Sequence, residues 1–260
     1  ICPSIFLTTS QPESMMKTLS VLHRRDFLLI TAGASAVQKT FAGLLDPIKQ
    51  MAGLMPTLHI AALDISLSPQ EGDARTLYLQ AVKDMLKRTQ PSDTILLLPL
   101  GEQGQSSVPI QKFSLVKSGR SLEDERRKKE VVPHIETAAR ELLGQKARAS
   151  RIIEGLAATR PEVQAALQKG HGVQLWLCSD VLEDSPLGRM ASNFDKTQAE
   201  RLLALVKQNN LLLHTPPADN STRKAHIEAR VIGAGGQTAS VYQQVEAFWR
   251  SYFAASGITL

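Results

Sequence analysis

Leu58-His59-Ile60-Ala61-Ala62-Leu63-Asp64-Ile65-Ser66-Leu67-Ser68 decides the fold. Its first six residues are an apolar run with Pro56 upstream and an acid directly after, the pattern of a short strand buried on both faces. Similar runs recur at Thr94-Ile95-Leu96-Leu97-Leu98-Pro99, at Val173-Gln174-Leu175-Trp176-Leu177-Cys178 before Ser179-Asp180, and at Ile227 to Ile232 before Gly233-Ala234-Gly235-Gly236. Ile110 to Val116 alternates loosely and suits an edge strand.

Helical periodicity fills the gaps. Leu77, Ala81 and Met85, with Tyr78, Val82 and Leu86 beside them, predict a helix from about Asp73 to Arg88. Ser121 to Gly170 reads as helical, punctuated at Pro133 and Pro161, with a capping box at Thr159-Arg160-Pro161-Glu162 and a stop at Gly170. Thr197 to Gln208 and a last amphipathic segment carrying Val241, Val245, Phe248, Trp249 and Phe253 complete the pattern. Alternating short strands and helices imply an α/β fold with a mostly parallel sheet covered on both faces. Such sheets place their sites at the carboxyl ends of the strands.

The composition narrows the class. The 260 residues are 43% hydrophobic and 21% charged, which excludes a disordered or collagen-like chain. No apolar run approaches the roughly 18 residues of a membrane-spanning helix. Two cysteines exclude a disulfide scaffold and a cysteine-rich zinc module. The net charge of +5 is local, because residues 112–160 hold 12 Lys and Arg against 7 Asp and Glu. No nucleic-acid motif accompanies that charge, so no nucleic-acid partner is expected. Glu123 to Glu130 is instead expected to be a solvated helix face with i, i+4 ion pairs, and contact of the basic 120–151 stretch with anionic surfaces is a lesser alternative.

The chain begins with Ile1 followed by a polar, Ser/Thr-rich stretch, and Met15 or Met16 reads as a start codon. Lys17, His23-Arg24-Arg25-Asp26-Phe27-Leu28, the short apolar run to Val37 and Ala34-Ser35-Ala36 have the outline of a signal peptide. The Arg-Arg-Asp-Phe-Leu run looks like a twin-arginine signal, which implies bacterial export of a folded protein to the periplasm, or an inner-membrane tether if the signal is retained. The expected organisation is residues 1–42 as extension plus signal, 43–56 as linker and 57–260 as the domain.

After the first strand, Asp64, Ser66 and Ser68 alternate, so their oxygens face one way from an extended terminus. Hard divalent cations favour oxygen donors of this kind, and Mg²⁺ takes few protein ligands and keeps waters. These residues resemble the metal-ion-dependent adhesion site of von Willebrand factor A domains, which has Asp-x-Ser-x-Ser after the first strand, a Thr on a middle loop before a helix, and an Asp, commonly followed by Gly, after the fourth strand. Asp64, Ser66 and Ser68 match the first loop, Ser150 is the best match for the Thr, with Thr137 and Thr159 as alternatives, and Asp180 matches the last acid. Val181 stands where Gly is usual. The resemblance spans about Thr57 to Phe253. It implies a three-layer α/β/α domain, vWA/Rossmann-like, with a mostly parallel sheet and one antiparallel edge strand. It also implies Mg²⁺ or Mn²⁺ held by Asp64, Ser66, Ser68, Ser150 and Asp180, and a protein partner that offers an acidic side chain.

Other chemistries fit less well. Ser66 stands where a haloacid-dehalogenase-type phosphatase needs its second Asp, and no G-x-S-x-G elbow exists. A metal-dependent hydrolase would have to use Glu71 or Asp73 as base, and a metal-free envelope scaffold is the third alternative. Ser68-Pro69-Gln70-Glu71 is itself a capping-box pattern. Cys178 reads as an inert core thiol, and the histidines show no paired metal spacing.

Overall fold

The computed structural model describes residues 55–66, 73–102, 109–215, 227–233 and 239–260. The expected signal segment, most of the linker, Ser68 and Glu71 lie outside them. The central sheet contains β1 (Thr57–Asp64), β2 (Thr94–Leu100), β3 (Gln111–Ser114), β4 (Gly172–Cys178) and β7 (Ile227–Ile232), in the order β3-β2-β1-β4-β7. All neighbours are parallel except β3, which runs antiparallel to β2 at the edge. The expected three-layer α/β/α architecture is therefore present.

The pattern of buried residues explains the layering. Along β1, Leu58, Ile60 and Ala62 enter one core while Ala61 and Leu63 enter the other, as strand alternation requires. Helices α1 (Ala74–Arg88) and α2 (Ser121–Gly144) cover the Ala61–Leu63 face. Helices α3 (Ile152–Ala158), α4 (Arg160–Gln168), α5 (Lys196–Gln208) and α6 (Ala239–Ala255) cover the other. Helix α3 sits so close to the sheet that a Cβ on Gly155 would lie 2.7 Å from Leu100 Cδ2. At the amino end of the sheet, buried His59 Nε2 lies 3.0 Å from Asp93 Oδ2, and Asp93 also accepts from the Thr57 and Gln90 amides.

Several local expectations change. Helix α2 runs unbroken through Pro133, on an exposed face where water can serve the Lys129 carbonyl that loses its helical donor. Thr159 does not cap α4, because its hydroxyl donates back to Leu156 O at 2.8 Å and closes the preceding helix instead. The formed capping box belongs to α5: Gln198 N donates to Asp195 Oδ1 at 2.8 Å while Gln198 Oε1 accepts from Asp195 N at 3.0 Å. A small hairpin, β5 (Asp184–Ser185) with β6 (Gly188–Arg189), lies in the connection after β4, where no strand was expected. On α2 the pairs Arg126–Glu130 and Arg127–Glu123 form the expected i, i+4 ladder. Beyond α6 the chain turns at Gly257 and lies along β7, with Thr259 N donating to Ile227 O and Ala229 N donating to Thr259 O.

Candidate functional site

Asp64 ends β1 at the carboxyl edge of the sheet and is almost wholly buried, at 1% exposure. A carboxylate there needs donors, and three segments supply them. Ser66 N donates to Asp64 Oδ1 at 2.9 Å. Ser150 Oγ donates to Oδ2 at 3.0 Å, and Ser179 Oγ donates to the same oxygen at 2.7 Å. Two hydroxyls, 86 and 115 residues away in sequence, thus converge on one carboxylate oxygen.

The backbone explains this convergence. Past Asp64 the chain stays extended: Ile65 N donates to Leu100 O, Ala147 N donates to Ile65 O, and Ser66 bridges Ala147 in parallel. The segment between α2 and α3 is thereby stitched alongside the continuation of β1, which brings Ser150 to Asp64. Of the three hydroxyls considered for the middle position, Ser150 is the one that reaches the acid; Thr159 is committed to Leu156 O, and Thr137 lies on the exposed side of α2.

The loop after β4 is fixed just as firmly. Ser179 N donates to Ile232 O on β7. Val181 N donates to Ser179 Oγ at 3.0 Å, and Trp249 Nε1 on α6 donates to Val181 O at 2.8 Å. Val181 has φ +61°, the left-handed conformation that favours glycine and that a β-branched residue adopts only under constraint. Valine here holds a turn that a glycine would adopt without strain. Asp180 follows Ser179 at the rim, and its Oδ1 accepts from Leu182 N at 3.1 Å.

Tyr78 and Glu183 carried no sequence signal that would separate them from other residues of the fold. Tyr78, on α1, is buried beside the acids: burial first, then the negative charges of Asp64 and Asp180, push its phenol pKa far up. Gly233, at φ +94°, lets the backbone pass the Tyr78 ring, since a Cβ there would lie 2.6 Å from Tyr78 Cε1. Glu183 is fully buried, and its Oε2 accepts from Ile152 N at 2.9 Å and Ile153 N at 3.0 Å. Asp184 N donates to Ser150 O, so the β4 loop holds the Ser150 segment by its backbone. Burial raises the Glu183 pKa to about 7 despite those amides and the nearby Ser185 side chain.

No protein-family model and no curated protein matches the sequence. Among solved structures, proximal thread matrix protein 1 from the mussel byssus is similar at 15% identity and a TM-score of 0.33, over 74% of this chain and 41% of that one. The human COPII-coat protein Sec24c is similar at 10% identity and a TM-score of 0.36, over 75% of this chain and 28% of that one. The matched region spans less than half the length of each of these proteins.

The chemistry of the cluster follows from its donors. A hydroxyl that donates its one hydrogen to Asp64 still has lone pairs on the other side. Ser150 and Ser179 can therefore bind Asp64 and offer oxygen to a hard cation together. Among the described residues no group of three or more His, Cys, Asp or Glu stands together as a metal cage. Any ion here would rest on hydroxyls, two acids and water. Of the two alternative bases for hydrolysis, Asp73 is exposed ahead of α1 and Glu71 lies outside the described residues. Cys178 is buried, and burial pushes its thiol up to about 12, which leaves it no nucleophilic role near neutrality.

Proposed function

We propose that this chain is an exported, von Willebrand factor A-like protein-interaction domain. It binds Mg²⁺ or Mn²⁺ at Asp64, Ser66, Ser68, Ser150 and Asp180 and captures a partner's acidic side chain on the ion. The observation that carries the reading is the convergence of Ser150 Oγ and Ser179 Oγ on Asp64 Oδ2. Two serine hydroxyls, one from the segment ahead of α3 and one from the loop after β4, satisfy the buried carboxylate while keeping lone-pair oxygen that an oxygen-ligated cation could use. Ser179 joins the proposed set as a hydroxyl that orients Asp64. Bound Mg²⁺ would supply a Lewis-acidic position for a partner carboxylate, and Asp64 and Asp180 would supply the negative charge that retains it. Export through the twin-arginine pathway belongs to the same proposal and rests on Arg24 and Arg25.

The test is a thermal melt in metal-free buffer with and without Mg²⁺ or Mn²⁺. The wild type should gain several degrees at millimolar metal, by preferential binding to the folded state. Asp64→Asn, which keeps the shape of the side chain, and Ser150→Ala should gain little or nothing. Equal gains in all three proteins would sink the assignment.

A further inference from the structure

One buried acid ties together the two segments that bring hydroxyls to Asp64. Glu183 stands in the loop after β4, three residues past Asp180, and is fully buried. Its Oε2 accepts from Ile152 N at 2.9 Å and from Ile153 N at 3.0 Å, across 31 and 30 residues of sequence. The next residue adds a third link, since Asp184 N donates to Ser150 O at 2.8 Å. The backbone of Glu183 is held in turn, with Met190 N donating to its carbonyl oxygen at 2.8 Å.

We propose that Glu183 is a positioning residue of the Asp64 cluster: by capping α3 from the loop after β4, it holds the Ser150 hydroxyl and the Ser179–Asp180 turn in one arrangement around that carboxylate. Its effect on cation affinity rests on the metal reading above.

Helix α3 has no such hold of its own. The first amides of a helix lack intrahelical acceptors, and the residue ahead of α3 is Arg151, whose side chain carries donors alone and makes no cap. A helix of seven residues is too short to persist without tertiary contacts. Ser150 lies just ahead of that first turn, so the Oγ that reaches Asp64 Oδ2 moves with it. At the other end of the link, Glu183 shares its loop with Asp180 and with Ser179, whose Oγ meets the same Asp64 oxygen. A single carboxylate oxygen takes both α3 amides. Glu183→Gln keeps a carbonyl oxygen that can accept them, whereas Glu183→Leu has a similar size and no acceptor.

The experiment is amide hydrogen exchange on the full chain in metal-free buffer, read by mass spectrometry, together with Mg²⁺ titration calorimetry well below the melting temperature. Glu183→Leu should speed exchange about tenfold at residues 150–153 and 179–184, the effect of losing one net hydrogen bond, and leave residues 57–63 as in the wild type. Its Mg²⁺ affinity should fall about tenfold as well. Glu183→Gln should restore both quantities to within about threefold of the wild type. Ile135→Ala, a cavity in the core on the other face of the sheet, should lower stability and keep the wild-type affinity. Glu183→Asp keeps the charge on a shorter arm and should resemble Glu183→Leu, so it carries the comparison if Glu183→Leu does not fold. Unchanged exchange in both of these variants, undiminished Mg²⁺ affinity despite faster exchange, no rescue by Glu183→Gln, or an equal loss of affinity in Ile135→Ala would overturn the positioning role. The expected exchange pattern with no Mg²⁺ binding by any protein, the wild type included, would leave the hold on Ser150 standing and sink the metal reading instead.

Discussion

Asp64 has both carboxylate oxygens engaged within the protein, so its orientation is set before any ligand arrives. The place of Asp64 at the carboxyl end of a buried strand was legible, because an acid directly after an apolar run marks where such a strand stops. Ser179 was not, since an Oγ pointing back across the sheet edge depends on how β4 sits against β1. Val181 and Glu183 show two further limits. The left-handed turn at Val181 is held by Ser179 and Trp249, contacts 2 and 68 residues away. Relief of about 1–2 kcal/mol of backbone strain should offset much of the lost burial in Val181→Gly. Its urea-unfolding free energy should stay within about 1 kcal/mol of the wild type, while Val173→Ala on β4 should lose about 2 kcal/mol. Glu183, with a pKa raised by burial to about 7, holds its proton more tightly folded than unfolded. Its contribution is therefore fully present below about pH 4.5 and is lost as pH rises through about 7, a change of about 3 kcal/mol. Glu183→Gln should flatten the fall in stability between pH 5 and pH 8, measured by urea unfolding without metal.

At the scale of elements, sequence periodicity located the five main strands and the first and last helices, because each buries an apolar face whose spacing is its own signature. Capping was read less well. Thr159 had the right neighbours for a capping box but turned its hydroxyl to Leu156 O, while Asp195 and Gln198, four residues ahead of the strongest apolar positions of α5, made the box. A cap depends on where the preceding helix stops, and α3 and α4 abut with only Thr159 between them. The seat of α3 on β2 gives a sharp test. Gly155→Ala should cost about 1–2 kcal/mol in the wild type, where the new methyl meets Leu100 Cδ2. In a Leu100→Ala background the same substitution should stabilise by up to about 1 kcal/mol, because the clash is gone and helix propensity remains. The sign change is read in a double-mutant cycle of urea-unfolding free energies.

At the scale of the whole molecule, the alternation of strands and helices was enough to expect a mostly parallel sheet with an antiparallel rim. The order β3-β2-β1-β4-β7 puts the site-bearing strands β1 and β4 side by side, and the connection from β3 to β4 carries Ser150. This adjacency turns three distant stretches of sequence into one cluster, and it is a property of topology that no local pattern contains. The last residues of the chain add something at the far rim. Thr259 takes the hydrogen-bonding places along Ile227 and Ala229 that a free edge would present to solvent. A foreign strand could add there only after peeling those residues away, whereas the opposite rim offers just four residues of β3 with Lys112 exposed among them. The sheet is thus guarded on both sides against templating its own aggregation: on one by a tail acting as a removable seal, on the other by brevity and charge.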